Sequence, residues 1–372
     1  MANESSFDLK VPEVRIVYGA GSLSKAGDEV AALGRERALV VSGRSIAEKT
    51  PALAVLKESL GQRFAGAFTG VTYDLSKRTV ARDHLVELIK ETKSDILISV
   101  GGGIAIGTAR AARTRYIGET EKNLPMMCVP TTLSAAEANT AYVAVDEGGP
   151  RVPEPGSRPV TAILDSEMAT HTPRELFGSS GFNAINHCIE GMCSTAHHSF
   201  ADALYLQALR LLADNLAESL DPDNLEARGK ALLGGYMSGL MIESTWLGIA
   251  HALCHGLQSV FGTPHGMNNT VMVTWGMRYN LDVAAERIAA VAPGLELLTG
   301  PNPRETALRC ITSIEGLRRR MSLPERLRDI PGVDPKGFPQ AAEIALHDFF
   351  TPYNPRQPQG TEELVEVYKQ AW

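Results

Sequence analysis

The stretch DILISVGGGIAIGTARAA, residues 95–112, decides the fold of this chain. Its first part is a short apolar run, which is typical of a strand buried in a parallel sheet. Gly101, Gly102 and Gly103 follow, and a helical pattern comes directly after them. Glycines between a strand and a helix let backbone N–H groups approach a phosphate. Their spacing is not GxGxxG, so a plain tight turn explains the glycines alone equally well.

The same alternation of strand and helix patterns extends over residues 1–165. Short apolar runs at 14–19, 38–43, 126–132 and 159–165 predict four further strands, with helical patterns in the intervals before 126. Strands that alternate with helices of about ten to fifteen residues imply βαβ units and a parallel sheet.

Residues 166–372 have a different pattern. Long helical segments dominate, for example at 198–220 and 224–244, and no comparable strand pattern is found. The sequence therefore predicts an α/β, dinucleotide-binding domain with a parallel sheet over 1–165 and an all-α domain over 166–372.

Composition excludes several classes of function. The chain has 372 residues, a net charge of −7 and no block of Lys and Arg, which argues against nucleic acid as a partner. It has no apolar run of the roughly 18 residues that a membrane-spanning helix needs. The polar, acidic start of the sequence predicts no signal peptide, and five cysteines without a CxxC predict reduced thiols. We therefore expect a cytoplasmic protein that acts on a small molecule, with no membrane partner.

Two further loops are candidates for cofactor binding. Thr131 and Thr132 end the strand pattern at 126–132 and begin a loop. They offer hydroxyls to a ribose or a phosphate, although a capped turn explains them as well. Gly43 and Arg44 follow the second predicted strand, where an acidic residue selects NAD. Because no carboxylate stands there to repel a 2′-phosphate, we favour NADPH over NADH, with use of both still open.

The stretch GIAHALCHGLQSVFGTPHG, residues 248–266, contains His251, His255 and His265 in a chain with 9 histidines. Residues four apart on a helix share a face, so His251 and His255 are expected to be neighbours. Spacing alone leaves three interpretations open: a metal site, acid–base chemistry, or packing.

Five short segments occur in a specific order: YGAGSL, SVGGG, PTT, NAINHCIE and the histidine stretch. In this order they resemble the iron-containing alcohol dehydrogenase superfamily, over a region from about Val14 to about Asn280. The resemblance implies a dinucleotide-binding domain, a helical domain and an active site in the cleft between them. It also implies hydride transfer with NADH or NADPH, and a homodimer.

The resemblance also implies a set of site residues. The ligand positions of metal-dependent members fall here on Asn183, His187, His251 and His265, and His255 matches a further histidine near the nicotinamide and substrate. Those members have Asp where this chain has Asn183. An amide supplies only a neutral oxygen, so the charge of a divalent ion is left uncompensated. We therefore expect no metal; if one is bound, these four residues are its ligands.

One branch of the superfamily, the maleylacetate reductases, works without metal and is similar at three places. These are SSGFNAINH (179–187), the LCH at 253–255, and Gly107. The chain differs from that branch in three other segments, PTTLSAAE, PHGMNN and GGGI. The resemblance implies reduction of maleylacetate to 3-oxoadipate in the catabolism of aromatic compounds. The alternatives are a metal-dependent alcohol or aldehyde dehydrogenase and, more remotely, an inactive nucleotide-binding protein.

Hydride addition to a conjugated ketone builds charge on the carbonyl oxygen, which requires a stabilising donor and a source of a proton. We expect His255 to lie closest to the nicotinamide and the other three histidines of the site to act as donors. Asn183 is expected to maintain the shape and hydrogen bonding of the pocket. Arg151 is a candidate partner for a substrate carboxylate, with a solvated surface arginine as the alternative.

Overall fold

The computed structural model describes residues 7–11, 13–72, 74–140 and 158–372. These residues form two compact units. The first, called here the α/β unit, comprises residues 11–173 and 222–233; the second, the helical unit, comprises residues 174–221 and 234–372 with the described residues before Val11. The predicted domain boundary at residue 165 stays a prediction.

A single six-stranded sheet forms the centre of the α/β unit. Its strands run parallel in the order β1-β6-β5-β4-β2-β3. The predicted parallel sheet is therefore confirmed. The strands are β1 (Arg15–Tyr18), β2 (Ala38–Gly43), β3 (Phe64–Val71), β4 (Ile96–Gly101), β5 (Met126–Pro130) and β6 (Thr161–Leu164).

Helices follow β1, β2, β3 and β4 along the chain, and each face of the sheet has its own apolar core. Successive strand residues point to opposite faces, so Ile98 and Val129 enter one core while Leu97 and Cys128 enter the other. A strand buried on both faces reads as a continuous apolar run, as β4 does. The helices are α1 (Ala26–Ala32), α2 (Arg44–Lys49), α3 (Ala52–Leu60), α4 (Leu75–Thr92), α5 (Gly103–Thr120) and α6 (Ser166–Thr170).

The sequence analysis missed β3. This strand pairs only with β2 at the edge of the sheet, and most of its residues are partly exposed. Its sequence, FAGAFTGV, contains two glycines and no continuous aliphatic run, so the apolar pattern that revealed the inner strands is absent.

Residues 166–372 contain no strand, which confirms the predicted change to an all-helical pattern. None of the helices in the described residues is both long enough and apolar enough to cross a membrane. The remaining helices are α7 (Arg174–Cys193), α8 (Ser199–Asn215), α9 (Leu225–Gly239), α10 (Ile242–Thr245), α11 (Ile249–Phe261), α12 (His265–Ala289), α13 (Pro303–Arg320), α14 (Phe338–Leu346) and α15 (Thr361–Ala371).

Helix α11 lies in the core of the helical unit. Its apolar residues pack against α12, α14 and α15, and residues 249–257 are all buried. The hydroxyl of Tyr368 on α15 donates to the carbonyl oxygen of Leu253 at 2.7 Å. This packing fixes the helix that carries two of the predicted site histidines.

Candidate active site

Two of the predicted cofactor loops meet at the carboxyl edge of the sheet. Gly101 at the end of β4 is paired in register with Pro130 at the end of β5. The backbone N–H of Thr131 donates to the carbonyl oxygen of Gly101 at 3.1 Å. The glycine loop and the threonine loop therefore lie side by side, because parallel strands present their carboxyl ends at one edge.

Close packing requires glycine in this loop. Gly101 has a φ of 139°, which only glycine adopts easily. A Cβ on Gly102 would lie 3.0 Å from Cγ2 and Oγ1 of Thr132. No side chain caps the N-terminus of α5, which begins at Gly103. The first N–H groups of this long helix are therefore suited to a phosphate, and the loop fits a dinucleotide.

The third predicted cofactor position is the turn after β2. From β2 the chain continues to β3, at one edge of the sheet. From β4 it continues through β5 to β6, toward the opposite edge, so the direction of the strand order reverses between the neighbouring strands β2 and β4. Ligands of open α/β sheets bind at such a reversal. Gly43 ends β2, and Arg44 begins α2 with a side chain that is 81% exposed and 3.8 Å from Glu48. An exposed guanidinium at this turn is available to a 2′-phosphate.

In the helical unit, three helices bring the predicted site histidines together. His187 is on α7, His251 and His255 are on α11, and His265 is the first residue of α12. The ring centroids of His187 and His251 are 5.0 Å apart, those of His251 and His265 are 5.5 Å apart, and those of His255 and His265 are 5.3 Å apart. The four rings therefore form one continuous cluster.

Helix α12 approaches α7 closely because Gly266 has no side chain. A Cβ there would lie 2.9 Å from the backbone carbonyl of Ser179. The glycine after His265 therefore allows the His265 end of α12 to lie against the helix that carries Asn183.

Asn183 belongs to a hydrogen-bonded amide network. Its Oδ1 accepts from Nδ2 of Asn269 at 3.2 Å and lies 3.3 Å from Nε2 of His251. Asn269 also donates to the carbonyl oxygen of His265 at 3.0 Å and accepts from Asn186 at 2.7 Å. Asn269 must donate to that carbonyl with its Nδ2, so the orientation of its amide group is fixed. The same Nδ2 faces Asn183, so the atom of Asn183 at this contact is the acceptor oxygen, and this oxygen also faces His251.

Glu190 holds the other nitrogen of the His251 ring. Its Oε2 is 2.5 Å from Nδ1 of His251, and its two oxygens accept backbone N–H bonds from Ala250 at 2.6 Å and His251 at 3.2 Å. The carboxyl group therefore also satisfies the first turn of α11, where N–H groups have no partner within the helix. Burial raises the pKa of Glu190 to about 8, while the backbone bonds oppose that shift.

These contacts determine where the protons lie. The raised pKa of Glu190 favours its protonated form at pH 7, and Nδ1 of His251 also lies 3.1 Å from Nδ2 of Asn186, which can only donate, so Nδ1 is the acceptor of both contacts. Nε2 of His251 then carries a hydrogen, which it donates to the oxygen of Asn183.

A metal at this position would need the lone pair of Nε2 of His251, and Asn183 offers only a neutral amide oxygen that also accepts from Asn269. Among the described residues, no group of at least three His, Cys, Asp or Glu side chains is arranged to hold a metal ion.

His187 is held as a neutral ring. Its Nδ1 is 3.2 Å from Oγ of Ser238, and that hydroxyl donates to the carbonyl oxygen of Gly235 at 2.7 Å. The hydroxyl hydrogen is therefore used elsewhere, and Nδ1–H of His187 is the donor. Burial, and then the neighbouring His251, lower the pKa of His187 well below its ordinary value. At neutral pH the ring is not a source of protons.

His255 has a different partner. Its Nδ1 is 2.7 Å from Oδ2 of Asp348, and both side chains are almost completely buried. The rings of Phe349 and Phe350 stack beside the imidazole, at centroid distances of 6.1 and 5.8 Å.

The structure thus gathers Asn183 and the four histidines, while Arg151 lies outside the described residues. Sequence reasoning missed Glu190 and Asp348. Glu190 could have been found, since it lies three residues after His187 on a helix whose other residues there are buried and mostly uncharged. Asp348 had no local signal, because 93 positions separate it from His255.

Comparison with known proteins agrees with this fold. The family model for iron-containing alcohol dehydrogenase matches residues 12–166, and the model for the C-terminal part of that family matches residues 178–372. The chain belongs to the iron-containing alcohol dehydrogenase family, whose members are oxidoreductases that use NAD(P).

Individual relatives span nearly the whole chain. Lactaldehyde reductase of Escherichia coli is 29% identical over 95% of this chain and 97% of its own length. Maleylacetate reductase 1 of Cupriavidus pinatubonensis is 28% identical over 96% of each. The solved structure of an alcohol dehydrogenase from Oenococcus oeni has a TM-score of 0.90 at 26% identity, covering 99% of this chain and 100% of its own.

Proposed function

We propose that this chain is an NAD(P)H-dependent reductase of the maleylacetate reductase type, which reduces a conjugated oxo acid without a metal ion. One observation carries the proposal: the oxygen of Asn183 accepts from Asn269 and faces the Nε2 of His251. The position that would supply a charged ligand to a metal instead belongs to a neutral hydrogen-bonded network. The similarity to maleylacetate reductases supports the substrate class.

The α/β unit would hold the cofactor. The N–H groups at Gly102 and Gly103 would bind a phosphate, with the hydroxyls of Thr131 and Thr132 beside them. The exposed side chain of Arg44 supports binding of a 2′-phosphate, so we favour NADPH as the cofactor, with use of NADH as well still open. When bound, the reduced nicotinamide supplies the hydride.

The histidines have separate tasks in this proposal. Hydride adds to one carbon of the double bond, the electron pair moves toward the carbonyl oxygen, and the other carbon takes up a proton. His187 is neutral and His251 is held at both nitrogens, so neither readily releases a proton. His255 is the proposed proton donor in its doubly protonated form: Asp348 binds Nδ1–H, and Nε2 on the opposite side of the ring gives its proton to the substrate carbon, which leaves the ring neutral. His265 and Asn183 keep the pocket hydrogen-bonded and in shape.

Other parts of the proposal come from the sequence. Arg151 is proposed to bind a carboxylate of the substrate. The protein is proposed to be a cytoplasmic homodimer in the catabolism of aromatic compounds, with no nucleic acid or membrane partner.

The decisive experiment measures NADPH oxidation with maleylacetate on enzyme stripped by a strong chelator, before and after addition of zinc or iron. We expect turnover in the stripped enzyme and no gain with metal. Asn183→Asp is the matched variant: it places a carboxylate beside His251, and we expect it to retain zinc measurably after dialysis while the wild type does not.

A second candidate has its own support, since relatives at 29–31% identity include lactaldehyde reductase and 1,3-propanediol dehydrogenase. Activity on lactaldehyde or 1,3-propanediol that appears only with added metal would establish this candidate and overturn the proposal. Binding of NADPH without turnover of any of these compounds would favour an inactive nucleotide-binding protein instead.

A further inference from the structure

Helix α11 carries two histidines, and each has a carboxyl group on its Nδ1. Glu190 approaches His251 at 2.5 Å, and Asp348 approaches His255 at 2.7 Å. The first carboxyl group also caps α11 through two backbone bonds. Asp348 lies after α14 and contacts the ring of His255 and the backbone of its own turn.

The carboxylate of Asp348 is held in place by its own turn. Its Oδ1 accepts from the backbone N–H of Phe350 at 3.0 Å, which leaves Oδ2 directed at the imidazole. The N–H of Thr351 closes the turn on the carbonyl oxygen of Asp348, also at 3.0 Å. A carboxylate held by its own backbone loses little further freedom when it binds the ring.

Two neighbouring phenylalanine rings, with centroids 4.1 Å apart, restrain the ring of His255 from one side as well. Phe350, which is fully buried, stacks at an interplanar angle of 26°, and Phe349 at 29°. Both phenylalanines directly follow Asp348, so the segment 348–350 fixes the tilt of the imidazole and one of its nitrogens together. An orienting carboxylate of this kind selects the tautomer of a catalytic histidine.

We propose that Asp348 is the positioning residue for His255. It keeps a proton on Nδ1, so that Nε2 is the nitrogen that exchanges a proton with the substrate, and it stabilises the ring when both nitrogens are protonated. This inference rests on the proposed function only in taking His255 as the proton donor. Asp348 itself touches neither substrate nor cofactor in this role.

A double-mutant cycle tests the assignment. Asp348→Asn, His255→Asn and the combined variant are assayed for NADPH-dependent turnover. We expect Asp348→Asn to lower kcat roughly 10–100-fold, as for other partners that orient an active histidine. KM for NADPH should stay within about 2-fold, since Asp348 lies in the helical unit. In the His255→Asn background the same substitution should have no further effect on kcat.

Two more variants separate positioning from folding. Asp348→Glu retains a carboxylate and should recover part of the lost kcat. Glu343→Gln removes the carboxylate of an exposed pair, in which Glu343 lies 3.1 Å from His347, and it should leave kcat unchanged. The proposal is overturned if Asp348→Asn lowers kcat by the same factor in the wild type and in the His255→Asn variant, or if it does not lower kcat at all.

A readout without substrate keeps this inference distinct from the proposed function. Nitrogen NMR of histidine-labelled protein, with His255→Asn to assign the signal, reports which ring nitrogen of His255 carries hydrogen. We expect Nδ1–H in the wild type and a shift toward the other tautomer in Asp348→Asn. If maleylacetate is not turned over but this shift occurs, the substrate class fails and the positioning role stands. If the tautomer is the same in both proteins, the positioning role fails whatever the substrate.

Discussion

The glycine loops of the α/β unit and the histidine cluster of the helical unit are built in different ways. In the glycine loops, backbone groups and the absence of side chains make the site, as at Gly102, where a Cβ would meet Thr132. In the histidine cluster, side chains make the site, and His187, His251 and His255 each contact a partner from elsewhere in the chain, such as Glu190 for His251.

The difference determines how each region responds to substitution. A backbone site tolerates many changes in neighbouring side chains but not a change in local geometry. A buried network of side chains fails when one partner is removed, because the others keep their desolvation cost without the compensating bond. Substitutions in the two regions should therefore differ in size and in what they affect.

The largest effect is expected from Glu190→Ala. It would leave the N–H groups of Ala250 and His251 without their buried partner and would remove the carboxyl partner of Nδ1 of His251, which keeps its contact with Asn186. Removal of one member of such a buried pair costs roughly 3–5 kcal/mol of unfolding free energy. Urea unfolding followed by circular dichroism measures the loss.

Glu190→Gln is the graded control. Its amide oxygen still accepts one backbone hydrogen bond, so it should lose less unfolding free energy than Glu190→Ala. A Glu190→Ala protein as stable as the wild type would show that the histidine cluster does not depend on this partner, and the contrast between the two regions would fail.

The α/β unit contains one buried acid that should make its stability depend on pH. Glu137, in the loop after β5, is only 1% exposed, and burial raises its pKa from 4.5 to about 7 despite the opposing charge of Arg110. The folded state therefore binds this proton more tightly than the unfolded chain does. Its contribution to stability is present below about pH 4.5 and is lost as the pH rises through 7, by about 3 kcal/mol in total.

Glu137→Gln removes this titration. We expect the wild type to lose stability relative to the Gln variant between pH 5 and pH 8, as measured by urea unfolding at each pH. Parallel stability curves for the two proteins would mean that Glu137 is ionised in the folded state even at pH 5, and the expected pH dependence would be absent.

The same contrast explains what the sequence could predict. β4 and the loop after it are contiguous in sequence, so an apolar run followed by three glycines predicts both the strand and the candidate phosphate site. The carboxyl partners come from elsewhere in the fold: Asp348 is 93 positions from His255. The sequence shows which types of side chain are candidates for the site, but only tertiary packing determines which nitrogen each candidate histidine presents.

The sequence itself showed His251, His255 and His265, and the resemblance added His187 and the comparison of Asn183 with Asp. It could not show that the oxygen of Asn183 is shared with Asn269, because that contact joins α7 to α12. The edge strand β3 was missed for a related reason, since its small residues pack on only one neighbouring strand. Local patterns predict elements that are buried on all sides better than elements at an edge.

A moderate effect is expected from Gly102→Val. The new side chain would press on Thr132, whose side chain is buried, and overpacking of this kind costs about 1–3 kcal/mol. Affinity for NADPH, measured by fluorescence titration, should fall at least 10-fold, because the loop must move to accommodate the branch. Gly118→Ala is the matched control on the same helix, where a Cβ meets nothing within 4 Å. If Gly102→Val binds NADPH as the wild type does, the glycine loop is a structural turn and not a phosphate site.

The smallest effect concerns the other end of α5. Glu121 follows the last residue of the helix in the left-handed region, with a φ of 58°, and its side chain is exposed. Glycine is the preferred residue at this position, since it has no Cβ to clash with the backbone. Glu121→Gly should therefore raise the unfolding free energy by about 1 kcal/mol or less, with NADPH affinity unchanged. If Glu121→Gly raises the unfolding free energy and Gly102→Val lowers the affinity for NADPH, backbone conformation governs both ends of α5. A loss at Glu121 would mean that its side chain stabilises the helix end by more than the strain costs, and the α/β unit would then depend on side chains as the histidine cluster does.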